Sequence, residues 1–235
     1  MRVYELMKIL KNCNQKAIVD IQVQNKLSVC DWENDRPIFE DEWLEIDDVQ
    51  QDDNKEFVSI ITWGERMNIF YFNHSPITSA EAQPDKMLVK MPLETAQMLC
   101  TAHRELDGDE YADEVGLYKT AYKNHPCTIW ARECSQNYSW LYAHFLALGM
   151  EYTFRYGKQH ASLVKLERPL MKYPKNIKQG EMTPLAQAMP DEYKHEDPII
   201  AYRRYVINEK HYAKWEKGRS KPKWWNKDYA EALAI

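Results

Sequence analysis

Residues 126–158, PCTIWARECSQNYSWLYAHFLALGMEYTFRYGK, decide the fold class. Proline opens the stretch, where a first helical turn does not need its missing N–H. Trp130, Tyr138, Leu141, Tyr142, Phe145, Leu148 and Tyr152 then recur at the spacing of one helical face. Gly149 and Gly157 are almost the only breakers as far as residue 172, so two or three helices are expected across residues 126–172. A proline-marked loop (Pro174, Pro184, Pro190) leads to a last long helix expected from Pro198 to about Trp215, and then to a basic aromatic tail at residues 221–225.

On the N-terminal side, a helix is expected to enter at Pro92, with Leu93, Ala96, Leu99, Cys100 and His103 on one face and Asp107, Gly108 and Asp109 at its end. Residues 68–72 read as a short apolar, strand-like start, followed by a polar loop through Pro84. Before Met67 the character changes. Residues 1–66 hold 8 Lys plus Arg against 15 Asp plus Glu, a net of −7, whereas the remaining 169 residues carry +2. Helical spacing at Tyr4, Leu6, Met7 and Leu10, then strand-like runs at 17–23 and 56–63, predict a small acidic α+β module. Trp32, Phe39 and Trp43 pin its charged connection, and Gly64 is the hinge. The expected architecture is mainly α: a compact helical domain, residues 67–235, behind a small α+β module, residues 1–66.

Composition excludes several classes. No apolar run approaches the roughly 18 residues of a membrane span, and the first twenty residues do not resemble a signal peptide, so a cytoplasmic protein is expected. Five scattered cysteines without a CxxC pair read as reduced thiols. His103, His125, His144 and His160 fall at irregular intervals, so no metal site is expected. Neither GxGxxG, GxxxxGK[ST] nor GxSxG occurs, and no cofactor is expected. In residues 199–227 nine basic residues, among them Arg203, Arg204 and Lys210, face two acids, which makes this segment the polyanion candidate.

Several side chains have two readings. Asn124-His125-Pro126 can present an imidazole at a helix start, where amide N–H groups favour an anion, or Asn124 simply caps the helix and His125 satisfies a carbonyl. Glu151 and Arg155, four apart, are an intrahelical ion pair, or Arg155 joins Arg132, Lys158 and His160 as a phosphate-binding wall. Lys86, Lys90 and Glu94 share a spacing of four and lie along one side if the helix runs through Pro92. The pair then suits amine chemistry on a sugar or base, or is a solvated charge ladder. Glu105 is a further carboxylate placed near a loop-lined cleft.

The runs at residues 86–103, 124–126, 130–133, 151–157 and 183–193 resemble an uncharacterised family of bacteriophage proteins over residues 67 to about 225. Members of that family begin at the position of Met67. Where a Cys-Asp-Lys-His string is expected, this chain has Pro84-Asp85-Lys86-Met87. More distantly, the order of a short strand, a helix ending in Arg104-Glu105-Leu106, Asn124-His125-Pro126 and a long aromatic helix looks like the pyrimidine-dimer DNA glycosylases. That resemblance implies a compact helical protein that flips a nucleotide and attacks the sugar with its N-terminal amine, assisted by a carboxylate for which Glu105 is the matching position. Met67 is internal here, so no free α-amine is available unless the chain is cleaved, and a lysine such as Lys86 or Lys90 is the conceivable substitute.

These readings combine into a phage DNA-binding protein that recognises or processes a modified or damaged base. Glu105, His125 and Glu151 are its proton-transfer candidates. Lys90, Arg132, Arg155, Lys158, His160, Arg203, Arg204 and Lys210 hold phosphates, and Trp130 and Trp140 stack. The rival is a non-enzymatic protein that contacts a host factor through acidic residues 1–66.

Overall fold

The computed structural model describes residues 67–226 and three strands nearer the N-terminus, β1 (Ile18–Gln22), β2 (Asp48–Gln51) and β3 (Phe57–Ile61). The chain divides into two units, Met1–Arg66 and Met67–Ile235. In the first, β3 lies between a parallel β1 and an antiparallel β2. The helix expected near Tyr4, the anchors Trp32, Phe39 and Trp43 and the hinge at Gly64 lie outside the described residues.

The second unit is helical. Its elements are α1 (Pro76–Glu81), α2 (Asp85–Asp107), α3 (Asp109–Glu114), α4 (Pro126–Glu133), α5 (Ser135–Tyr156), α6 (Ala161–Leu170) and α7 (Pro198–Glu209), with a 3-10 turn at Asp191–Tyr193. Proline occupies the first turn of α1, α4 and α7. Ser75 and Asp197 cap by accepting from the N–H of Thr78 (3.3 Å) and Ile199 (2.8 Å). Gly108 (φ 81°) closes α2, and Gly157 closes α5 in the left-handed conformation (φ 66°), which glycine adopts without steric cost. Gly149 does not break α5. A Cβ there would lie 2.6 Å from Leu163 Cδ2, so the missing side chain is what lets α6 approach.

Helix α5 is the hub, packed against α1, α2, α4 and α6. Its buried positions Tyr138, Leu141, Phe145, Leu148 and Tyr152 are those the helical spacing marks out. Tyr142, assigned to the same face, is half-buried and donates its hydroxyl to Glu167 O at 2.8 Å.

Four expectations are corrected. Residues 68–72 form no strand, because Phe70 sits at φ 51° and breaks the extension. The segment is nonetheless fully buried, and side chains do the work of a neighbouring strand. Ser79 Oγ accepts from Phe72 N–H (3.0 Å), Gln83 Nε2 donates to Phe70 O (3.2 Å), and Arg203 donates to Phe72 O (2.9 Å). The polar loop before Pro84 contains α1. Helix α2 begins at Asp85, with Pro92 in its interior. An interior proline costs about 3 kcal/mol, but Met87, Leu88 and Met91 are wholly buried and each such side chain contributes about 1.5–3 kcal/mol, so burial wins. Finally, α7 stops at Glu209 rather than Trp215. The chain then runs back, with Trp215 Nε1 donating to Ala82 O (3.1 Å) and Trp224 packed on Phe72 (5.1 Å). No described helix is long and apolar enough to cross a membrane.

Two core histidines make stability depend on pH. Tyr138 donates its hydroxyl to Leu170 O (2.8 Å), so the His103 Nε2–H must be the donor to the Tyr138 oxygen at 2.9 Å. His144 Nδ1 donates to Pro76 O at 3.0 Å. Burial pushes both imidazoles down to about 4, from an ordinary value of 6.5. Between those values the unfolded chain binds more protons, so their stabilisation is complete above pH 6.5 and is lost as pH falls towards 4. Buried Glu94, raised to about 6 from 4.5, works in the opposite sense between those two values. Near pH 5 the three groups together take up roughly one proton on unfolding. Calorimetry is expected to show the unfolding midpoint falling between pH 6.5 and 4.5. A His103→Gln, His144→Gln variant is expected to flatten that dependence.

Candidate active site

Because α2 continues through Pro92, Lys90 and Glu94 stand one turn apart on the same side. Lys90 Nζ lies 3.7 Å from Glu94 Oε1, and the two side chains are 17% and 12% exposed, so the pair is largely buried rather than on an open face. Glu94 Oε2 accepts the backbone N–H of Asn68 at 3.2 Å. Asn68 is itself pinned: its Oδ1 accepts from Ile69 N–H (2.8 Å) and its Nδ2 donates to Ala188 O (2.9 Å).

Further groups gather at this pair from distant elements. Burial pushes the Glu94 carboxyl up to about 6, against the attraction of Lys90 and Lys210. Burial also lowers the Lys90 amine, and the charge of Lys210 adds to that lowering while Glu94 opposes it. The phenols of Tyr122 and Tyr212 are raised, mainly by burial and in part by the Glu94 charge, Tyr212 to about 12. The site thus joins α2, the loop before α4 and the turn after α7. Among the described residues the non-glycine positions with positive φ are Phe70 (51°), two residues after Asn68, and Tyr122 (47°), whose phenol feels the Glu94 charge. Strain of this kind persists only where the surroundings impose it. A buried amine drawn towards neutrality beside a carboxyl drawn towards protonation can exchange a proton with it and present a nucleophilic nitrogen.

The structure scatters most of the other expected site residues. Glu105 is eleven residues further along α2, about 16 Å at 1.5 Å per residue; it is partly exposed and 4.0 Å from Lys123 Nζ. His125, not Asn124, caps α4, its Nδ1 accepting from Cys127 N–H at 3.2 Å. Arg132 turns back to Thr128 O (3.0 Å), and Lys158 is exposed. His160 caps α6: Nδ1 accepts from Ser162 N–H (3.1 Å), so Nε2 carries the proton given to Val89 O (3.2 Å). The imidazole is held below its ordinary value by burial, which leaves a neutral ring rather than a phosphate-binding cation.

Arg155 and Glu151 form no wall. The Arg155 side chain has no exposed surface and donates to Glu151 Oε1 (2.7 Å), Asp85 Oδ1 (2.9 Å), Gln83 O (2.8 Å) and Glu81 O (2.8 Å). Glu151 is occupied by Arg155 and by Arg219 (2.8 Å), and these bonds lower its carboxyl although burial alone would raise it. Trp130 is buried, with Nε1 donating to Thr183 O (3.2 Å). Trp140 donates to His74 O (2.8 Å) and stacks on His144. Arg203 reaches Phe72 O and lies over Trp224, with Arg204 half-buried beside it on α7. Lys90 and Lys210, by contrast, are brought together at the pair.

Glu94 was visible in sequence only as the third member of the Lys86, Lys90, Glu94 series. Its neighbour Asn68 is 26 residues away, and no local signal links the two.

Residues 67–164 match the model of a family described as pyrimidine dimer DNA glycosylase. The matched span contains Asn68, Lys90 and Glu94, and it starts at Met67. Over that span the helical unit is similar to the DNA glycosylases. No curated protein and no solved structure matches the chain.

The Arg155 cluster is structural on this geometry. Removing one partner of a buried ion pair strands the other charges, so Arg155→Ala is expected to lower unfolding stability by about 3–5 kcal/mol in urea denaturation. Lys158→Ala, at an exposed position nearby in sequence, is expected to stay within about 0.5 kcal/mol of the parent.

Proposed function

We propose that this protein is a bacteriophage DNA glycosylase and lyase that acts on a damaged or modified nucleotide, with Lys90 as the nucleophilic amine and Glu94 as the carboxylate that handles its proton. The observation that carries this reading is the largely buried Lys90–Glu94 pair, 3.7 Å apart, inside the stretch matched by the glycosylase family model. Asn68 N also touches Glu94, but it is an amide whose lone pair is delocalised into the peptide bond. The amine beside this carboxylate is that of Lys90.

The chemistry follows from the two groups. A target nucleotide leaves the base stack to reach the pair. Glu94 takes a proton from the Lys90 ammonium, and the freed lone pair attacks C1′. The bond from C1′ to the base breaks, and the base leaves with its electrons and a proton from water. The sugar ring opens to an iminium between C1′ and Nζ. Loss of the C2′ proton then expels the 3′ phosphate, and hydrolysis of the imine returns Lys90. Lys210, whose charge reaches both members of the pair, supplies a second positive charge for the strand, and Arg203 and Arg204 lie on the helix that leads to it.

The test is borohydride trapping on a duplex carrying an abasic site or a pyrimidine dimer. The full chain is expected to form a stable adduct that maps to Lys90 by peptide mass spectrometry, and Lys90→Ala to form none. Glu94→Gln is expected to slow the reaction by about 10²–10⁴-fold with little change in DNA binding. The parent rate is expected to fall as pH drops through about 6, where Glu94 takes up its proton. Undiminished trapping by Lys90→Ala overturns the assignment.

A further inference from the structure

A cleft opens at Lys86, one helical turn before Lys90. It encloses about 400 Å³ between the start of α2, the end of α5 and the returning C-terminal segment, and its lining includes Lys86, Tyr156, Tyr212, Lys214 and Lys217. Its two acids are already engaged. Asp85 Oδ1 accepts from Arg155 (2.9 Å) and Oδ2 from Glu216 N–H (2.7 Å), while the Glu216 carboxylate is 3.4 Å from Lys214 Nζ. Among the described residues Lys86 and Lys217 make no ion pair. Each amine is instead held over a ring face, Lys86 over Tyr212 and Lys217 over Tyr156, both 5.4 Å from the centroid.

Such placement localises an ammonium without using up its charge. Two positive charges therefore stand at fixed positions on the rim of a cleft whose negative charges are already matched. Tyr212 links this cleft to the active site, since its phenol feels the Glu94 charge. The larger cleft beside Trp224, about 540 Å³, differs in that its Arg219 is bound to both Glu81 (3.0 Å) and Glu151 (2.8 Å).

We infer that the Lys86–Lys217 cleft seats the phosphates of the DNA strand next to the reacting nucleotide. Lys86 precedes Lys90 by four residues, about 6 Å along the helix, which is the span of one to two nucleotides at about 3.4 Å of duplex axis each. A phosphate held at Lys86 thus leaves the neighbouring sugar within reach of Lys90. This inference rests on the DNA reading above, but it concerns binding and not the chemical step.

Fluorescence anisotropy of a labelled duplex, measured against salt concentration on the full chain, tests it. Each phosphate contact contributes about −0.9 to the slope of log K against log salt. Lys86→Ala with Lys217→Ala is expected to make the slope shallower by roughly 1.8 and to weaken binding at low salt. Lys86→Arg with Lys217→Arg is expected to restore both. Lys165→Ala is the control, because this amine also lies over a ring, Tyr118 at 4.8 Å, but on α6; it is expected to change neither. A parent that binds with a salt-dependent slope that the double alanine variant leaves unchanged overturns the seat while sparing the DNA reading. A parent that binds no duplex at any salt overturns both. A shallower slope in a protein that never traps an abasic site supports the seat and removes the lyase chemistry.

Discussion

The guanidinium of Arg155 has no exposed surface, and a buried cation is tolerated only when its partners are in place. Desolvation costs several kcal/mol per ion. Here two carboxylates and two carbonyl oxygens meet it, from Glu151, Asp85, Gln83 and Glu81. Those partners belong to the end of α1, the turn into α2 and the last turns of α5. Asp85 then takes the Glu216 N–H and gives its own N–H to Lys214 O (2.8 Å), while Arg219 returns to Glu151 and Glu81. One charge thereby locks two helix ends, a connecting turn and the returning C-terminal segment. Satisfying it fully requires all four pieces at once, which makes the arrangement specific as well as stable.

The functional geometry follows from that lock. Asp85 opens α2, so the Arg155 cluster sets where the helix starts and hence which way Lys86, Lys90 and Glu94 point, each one turn further along. Burial of Met87, Leu88 and Met91 carries the helix across Pro92, without which Lys90 and Glu94 would not share a side. The same elements bring the buried segment from Met67 to Phe72 against α2, where the Asn68 N–H holds one oxygen of Glu94 and leaves the other towards Lys90. Structural and chemical charges are thus separated along one helix. Both carboxylates are buried, but Asp85 is spent on packing, whereas Glu94 stands beside an amine.

Much of the architecture was legible from residue order alone. Proline at the first turns of α4 and α7, the glycines that close α2 and α5, and the repeat of aromatic residues along α5 are local signals, and helices form where they lie. The errors arose where a local preference met a tertiary demand. Pro92 reads as a helix start because proline suits one, yet the apolar residues before it have a core to enter. Residues 68–72 read as a strand because they are apolar, yet their backbone groups are met by Ser79, Gln83 and Arg203 from other elements. The expectation of a carboxylate at Glu105 rested on the short string Arg104-Glu105-Leu106, and no distance along the sequence tells it from Glu94. Arg104 in that string turns to Asp109, Asp113 (2.7 Å) and Tyr118 O (2.7 Å) and anchors α3 and the loop beyond.

The sequence by itself determined the helical character of most of the second unit, the starts of α4 and α7, the ends of α2 and α5, and the spacing that puts Lys86, Lys90 and Glu94 in register, since these follow from the 3.6-residue period and from signals within a few residues. Only the tertiary structure decided which charges are sequestered and which remain for chemistry. Arg155 and Glu151 carry the same residue types and the same spacing of four as Lys90 and Glu94. The first pair is closed off by Asp85, two carbonyls and Arg219, whereas the second, among the described residues, has a single amine and a backbone N–H beside its carboxylate. Burial and partners are contributed by residues tens of positions away, and no local pattern records them.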